Sequence, residues 1–248
     1  MKDLIIADVI RILKKPSYRI MLVVAFLMEM SVTVRTRLGV WNDIAYTSNQ
    51  YNMMKLAAEL MLGIMIYISV YADEFTSNSM QALIGRGVSR FKLLIAKYID
   101  CVVITVISFA LYLAGMLLMG FILGAHLSGE EILFLSVRIL VGIVKTIGFA
   151  TVSMIVLYLT KNVAFATITD VVLTALSNML AEPLTKLPVI KFMHFENKVF
   201  SGAVDCAASS IMLGNRAAVF TILWELVRIS AVSVLISYLF FRKKELDF

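Results

Sequence analysis

Charge is scarce in this sequence. Asp, Glu, Lys and Arg make up 16% of 248 residues, and hydrophobic types make up 60%. A water-soluble domain of this size carries far more charge. Histidine and cysteine are nearly missing, with two of each. No Cys/His cluster has the spacing of a metal site, so neither zinc nor haem is expected. Cys101 belongs near the inner end of an apolar run and Cys206 to an outer segment, so the two cannot pair. No Gly-x-x-x-x-Gly-Lys-Ser/Thr phosphate loop occurs. Gly85-Arg86-Gly87 lacks the length and the following Lys-Ser, so ATP binding by that route is not expected.

What the chain does have is length of apolar sequence. Mean hydropathy is +0.90. Several runs reach the roughly 20 residues needed to cross about 30 Å of hydrocarbon. The expected fold class is an all-α polytopic membrane protein, one transmembrane domain over 1–248. It has an N-terminal interfacial helix at 1–17 and six crossings: about 18–34, 53–71, 93–123, 132–159, 163–180 and 217–241. In the first helix Leu4, Ile5, Val9, Ile12 and Leu13 make one face, and Lys2, Asp3, Arg11 and Lys14 are polar. A cleaved leader is not expected, because Val34-Arg35-Thr36-Arg37 after the first apolar run is no small-residue cleavage site. Trp41, Tyr46 and Tyr51 read as interface anchors. Residues 181–215 form the longest stretch between runs. Pro183 and Pro188 break it, yet it holds Leu184, Ile190, Phe192 and Phe195, so it is expected to re-enter the outer leaflet.

Net charge is +6. The basic residues sit beside apolar runs, which points to topology and anionic lipid rather than nucleic acid. The side carrying both termini collects Lys2, Arg11, Lys14, Lys15, Arg19, Arg86, Arg90, Lys92, Lys97, Lys161 and the Arg242-Lys243-Lys244 run. The other side has fewer, so both termini are expected in the cytoplasm.

Tyr71–Lys97 organises the rest. Asp73 and Glu74 open a short surface helix, where negative charge suits the helix dipole. Phe75, Ser79, Ala82 and Leu83 recur at helical spacing, Gly85 marks a stop, and Ser89 can cap the next helix. The result is a rigid knob at the bilayer edge.

These residues resemble a known pattern. Glu74, Ser79-Met80-Gln81-Ala82-Leu83, Gly87-Val88-Ser89-Arg90, Lys92 and Lys97 are similar to the element between the second and third spans of type-2 ABC exporter permeases. The six-span layout without a large outer domain resembles their bacitracin, lantibiotic-immunity and modulin export branch. The resemblance implies a permease that dimerises, with a second copy or a related permease, and engages a separate ATPase subunit that holds ATP and Mg. The chain would then lie in a bacterial cytoplasmic membrane, be no enzyme and hold no cofactor itself. Residues 73–85 would be the coupling helix. Asp73, Glu74, Phe75, Ser79, Arg86 and Arg90 would contact the ATPase, and the cargo would be an amphipathic, peptide-like substrate.

Charges within the runs are the other candidates. Glu29, Glu59, Lys145, Asp170, Glu225 and Arg228 lie inside expected spans, each costing about 2.5–3.5 kcal/mol at a helix centre unless paired. Lys145 with Asp170, and Glu225 with Arg228 at i,i+3, are the expected pairs. Glu29 and Glu59 have no evident basic partner. They either line a path for a cationic substrate, with Asp170 and Lys145, or hydrogen-bond within the bundle. Two other classes fit the residues less well. Glu130-Glu131 invites an intramembrane protease, but Arg138 is misplaced and His126 and His194 fall in loops. An ion-coupled transporter would be expected to show an internal repeat, and none is evident.

Overall fold

The computed structural model describes residues 2–38, 48–50, 52–76, 79–122, 124, 127–179 and 199–243. Among these residues every regular element is helical. Trp41, Tyr46, Tyr51, His126, Pro183, Pro188 and His194, which carried expectations above, lie outside them.

The chain begins with α1 (Lys2–Lys14), whose apolar stripe buries Ile12 and rests Leu4, Val9 and Leu13 on the core, leaving Ile6 and Ile10 outward. Lys15 links it to α2 (Pro16–Leu38), where proline stands at the first helical position and needs no donor. The second expected span is one continuous helical segment, α3. It is built of a π-helical stretch Met54–Leu62, an α turn Gly63–Tyr67 and a second π stretch Ile68–Ala72. Widened π turns of this kind are rare and collect at functional sites. About two thirds of its described residues are buried, among them Ala58, Leu62, Ile66, Tyr67, Val70 and Tyr71.

The knob follows as α4 (Asp73–Thr76) and α5 (Ser79–Gly85). Gly87, at φ +88°, occupies the left-handed region that suits glycine and turns the chain toward α6 (Arg90–Ile122). α7 (Gly129–Thr160) opens with a reciprocal cap. The Ser128 hydroxyl accepts from the Glu131 backbone N–H, and the Glu131 carboxylate accepts from the Ser128 backbone N–H. Glu131 is therefore a capping residue. α7 ends at Lys161, the left-handed residue (φ 57°) of the expected tight turn, and α8 (Val163–Met179) returns alongside. After the undescribed stretch come α9 (Phe200–Met212) and α10 (Ala218–Lys243).

Among the described residues four helices, within α2, α6, α7 and α10, are long and apolar enough to cross a membrane, while α8 is a shorter apolar helix. This is an all-helical membrane protein. Its lipid-facing surface shows in the exposed large apolar side chains, such as Leu27 on α2, Leu111 and Phe121 on α6, Ile168 and Val172 on α8, and Phe220, Trp224 and Leu235 on α10. On α8 the opposite face, Ala166, Asp170 and Thr174 at four-residue steps, is buried.

α7 is the spine. At 1.5 Å per residue its 32 residues run about 48 Å, and other elements dock on it at successive levels. Gly142 faces Phe109 and Glu59, Lys145 meets Asp205 of α9, and Gly148 and Phe149 take the ring of Phe200. Ser153 meets Asp170, and Tyr158 packs between Phe75 and Phe241. At Gly148 an added Cβ would overlap the Phe200 ring, so any larger residue forces that ring to move. The start of α9 thus sits beside the middle of α7 rather than at its end.

Candidate functional site

The knob end of the bundle holds a buried ion cluster. On α1, Asp8 and Arg11 stand one turn apart. On α6, Lys97 and Asp100 do the same. α4 contributes Asp73 and Glu74 directly after the last π turn of α3. Lys97 is 0% exposed, and its three ammonium protons go to three carboxylates: Asp8, Glu74 at 2.6 Å and Asp100 at 3.1 Å. Arg11 also reaches Glu74, and Lys15 pairs with Asp73. Three elements far apart in sequence are thereby joined through one ammonium. A charge this deep persists only when paired and hydrogen-bonded.

An aromatic wedge completes the joint. Phe75, 6% exposed, lies edge-on to Tyr158, with centroids 6.2 Å apart, and Tyr158 is tilted against Phe241 at 4.8 Å. The Tyr158 hydroxyl donates to Met80 of α5. Arg90 donates to the carbonyls of Phe241 (2.8 Å) and Arg242 (3.3 Å), its guanidinium 5.6 Å from the Phe241 ring centre. These are the orphan carbonyls at the end of α10, where a cation also suits the dipole. The knob is therefore fastened to α1, α6, α7 and α10 together.

This placement corrects the expected outward face. Glu74 and Phe75 point into the bundle, because the carboxylate is required by Lys97 and the ring by Tyr158. Arg90 is engaged with α10. Asp73 is half-exposed and paired, and the Ser79 side chain lies outside the described residues. Among the described residues of the knob, Thr76, Gly85, Arg86 and Gly87 are exposed. Asp8 and Asp100 were missed. Two i,i+3 opposite-charge pairs, one of them inside an apolar run, were the available signal.

The four charges expected to line a path are buried but not gathered. Lys145 does not meet Asp170. It donates to Asp205 at 2.8 Å, because α9 lies beside it, whereas Ser153, the partner of Asp170 at 3.3 Å, is eight residues further along α7, about 12 Å. Glu59 lies against Gly142. Glu29 accepts from the Thr33 hydroxyl at 2.9 Å, which in turn accepts from Gln50 at 2.6 Å. Glu225 and Arg228 pair as expected. Among the described residues no group of His, Cys, Asp and Glu could hold a metal ion. Cys101 is buried and Cys206 exposed, both as free thiols.

No curated protein matches the chain. A family model matches residues 4–246, nearly the whole sequence, and on that match the chain belongs to the family described as "Protein of unknown function (DUF2705)".

Proposed function

We propose that this chain is the permease subunit of an ATP-driven exporter of the type-2 ABC class, moving an amphipathic, peptide-like substrate outward through the bacterial cytoplasmic membrane. In this reading α2, α3, α6, α7, α8 and α10 are the six crossings, and α9 with the stretch before it re-enters the outer leaflet. Both termini and the knob are cytoplasmic. ATP and Mg are held by a separate ATPase subunit, and the permease pairs with a second copy or a related permease.

The observation that carries the reading is the knob's construction. A short projection clasped at once to α1, α6, α7 and α10 moves those helices together. A push on its exposed tip therefore becomes rocking of the bundle, which is what an external engine requires. The buried Glu74 and Phe75 are the inner half of that device, and Arg86 belongs to the outer half. A photo-crosslinking residue at Arg86, in cells co-expressing an ATPase encoded beside the chain, is expected to capture that ATPase. Capture of lipid alone would overturn the reading.

Glu59 and Asp170 remain the path residues of this proposal, on α3 and α8 and at two levels of the spine. Glu59→Gln is expected to lower export of a cationic substrate by tenfold or so, the order of one lost charge interaction, at unchanged expression and basal ATPase rate. Unchanged export removes Glu59 from the path.

A further inference from the structure

Glu29 and Gln50 leave an account open. Both are 0% exposed, as is Thr33 between them. The Thr33 hydroxyl donates to Glu29 Oε1 and accepts from the Gln50 amide. The hydroxyl's one proton is thereby committed, and Glu29 Oε2 and Gln50 Oε1 remain buried without a hydrogen-bond partner. Unpartnered buried oxygens are uncommon, and two on neighbouring side chains call for an occupant. A carboxylate among them raises the demand. No Lys or Arg of the described residues makes an ion pair with Glu29, and a water would supply protons for hydrogen bonds but no positive charge.

On α2 itself the nearby charges are Arg35, which is exposed, and Arg37, whose side chain lies outside the described residues. α6, packed against α2, carries none between Asp100 and Ile122. α3 brings Glu59 and Lys55, the latter with its side chain outside the described residues. The three side chains are closed to solvent, and the two atoms left without a partner are oxygens, one of a carboxylate and one of an amide. That is the donor set of hard cations.

We infer that Glu29, Thr33 and Gln50 form an occluded site for a small monovalent cation, an alkali ion or a proton, held between α2 and the segment entering α3. The occupant ties the two together, so cation occupancy stabilises the outer half of that pair. The inference does not depend on an ATPase partner.

The test uses the full chain in nanodiscs, with melting followed in NaCl, KCl or LiCl and choline chloride holding ionic strength constant. If an alkali ion is the ligand, one of the three raises the midpoint by about 5–10 °C near a hundredfold excess over its dissociation constant. If a proton is the ligand, the salts act alike, and the midpoint in choline falls as pH rises. In either case Glu29→Gln flattens the response, because the amide brings its own N–H and no charge. Should that variant fail to fold, Thr33→Val and Gln50→Leu are measured instead. Each removes one ligand oxygen and is expected to shift the alkali titration at least tenfold, or to change the pH profile. A wild-type midpoint indifferent to both alkali ion and pH overturns the inference, as does a response that survives in Glu29→Gln or is unmoved by both fallback variants. None of these readouts involves ATP hydrolysis or export, so failure here leaves the permease reading standing, and the reverse holds.

Discussion

Lys97→Met is expected to be the most damaging single change at the knob. It leaves Asp8, Glu74 and Asp100 facing one another with only Arg11 between two of them. Removing one partner of a buried ion pair costs about 3–5 kcal/mol, against a total stability on the order of 5–15 kcal/mol. Three carboxylates around one ammonium place this case at the upper end. Fluorescence-detected size exclusion after mild heating reads the loss as a collapse of the monodisperse peak. The double variant Lys97→Met/Asp100→Asn removes one of the stranded charges and is expected to recover part of the peak. A single variant as stable as the parent would mean that the cluster does not hold the knob.

Phe75→Ala comes second. The ring fills the space between Tyr158 and the knob, within a core that includes Met80 and Phe241. Truncating a buried phenylalanine costs about 3–5 kcal/mol through lost transfer energy and the cavity left behind. The loss should appear as lower thermal stability of the isolated chain, before any partner is added. Phe75→Leu, which refills most of the volume, should recover the larger part. Were Phe75 an outward contact, truncation would weaken partner capture and leave the isolated chain's melting unchanged. The two outcomes separate an internal wedge from a docking residue.

Much of the architecture can be read from local pattern. The apolar run over 93–123, with Ser89 as its cap, gives α6, Ser128-x-x-Glu131 gives the start of α7, and Thr160-Lys161-Asn162 gives its turn, since each depends on residues within one or two turns. Glu225 with Arg228 is legible for the same reason. What escapes is pairing across distance. Lys145 and Asp205 are sixty residues apart, and their meeting depends on α9 lying beside the middle of α7, which no periodicity announces. Lys97 reads as one basic residue among several near a span end until α1 and α4 arrive with Asp8 and Glu74. The π turns of α3 are equally silent, because an apolar pattern does not say whether the hydrogen bonds close at four residues or five. The inward place of Phe75 is more legible. A large apolar ring beside a bundle of apolar helices belongs against them.

Arg90 gives the molecule a clasp. By gripping the last turn of α10 while its near neighbours along the chain grip α1, it fastens the first and final helices to the same short stretch. The bundle is thus belted, with a buckle in the middle of the chain rather than at either end. Each end of the chain's helical bundle is therefore tied to the other through that stretch, although the two ends are more than two hundred residues apart.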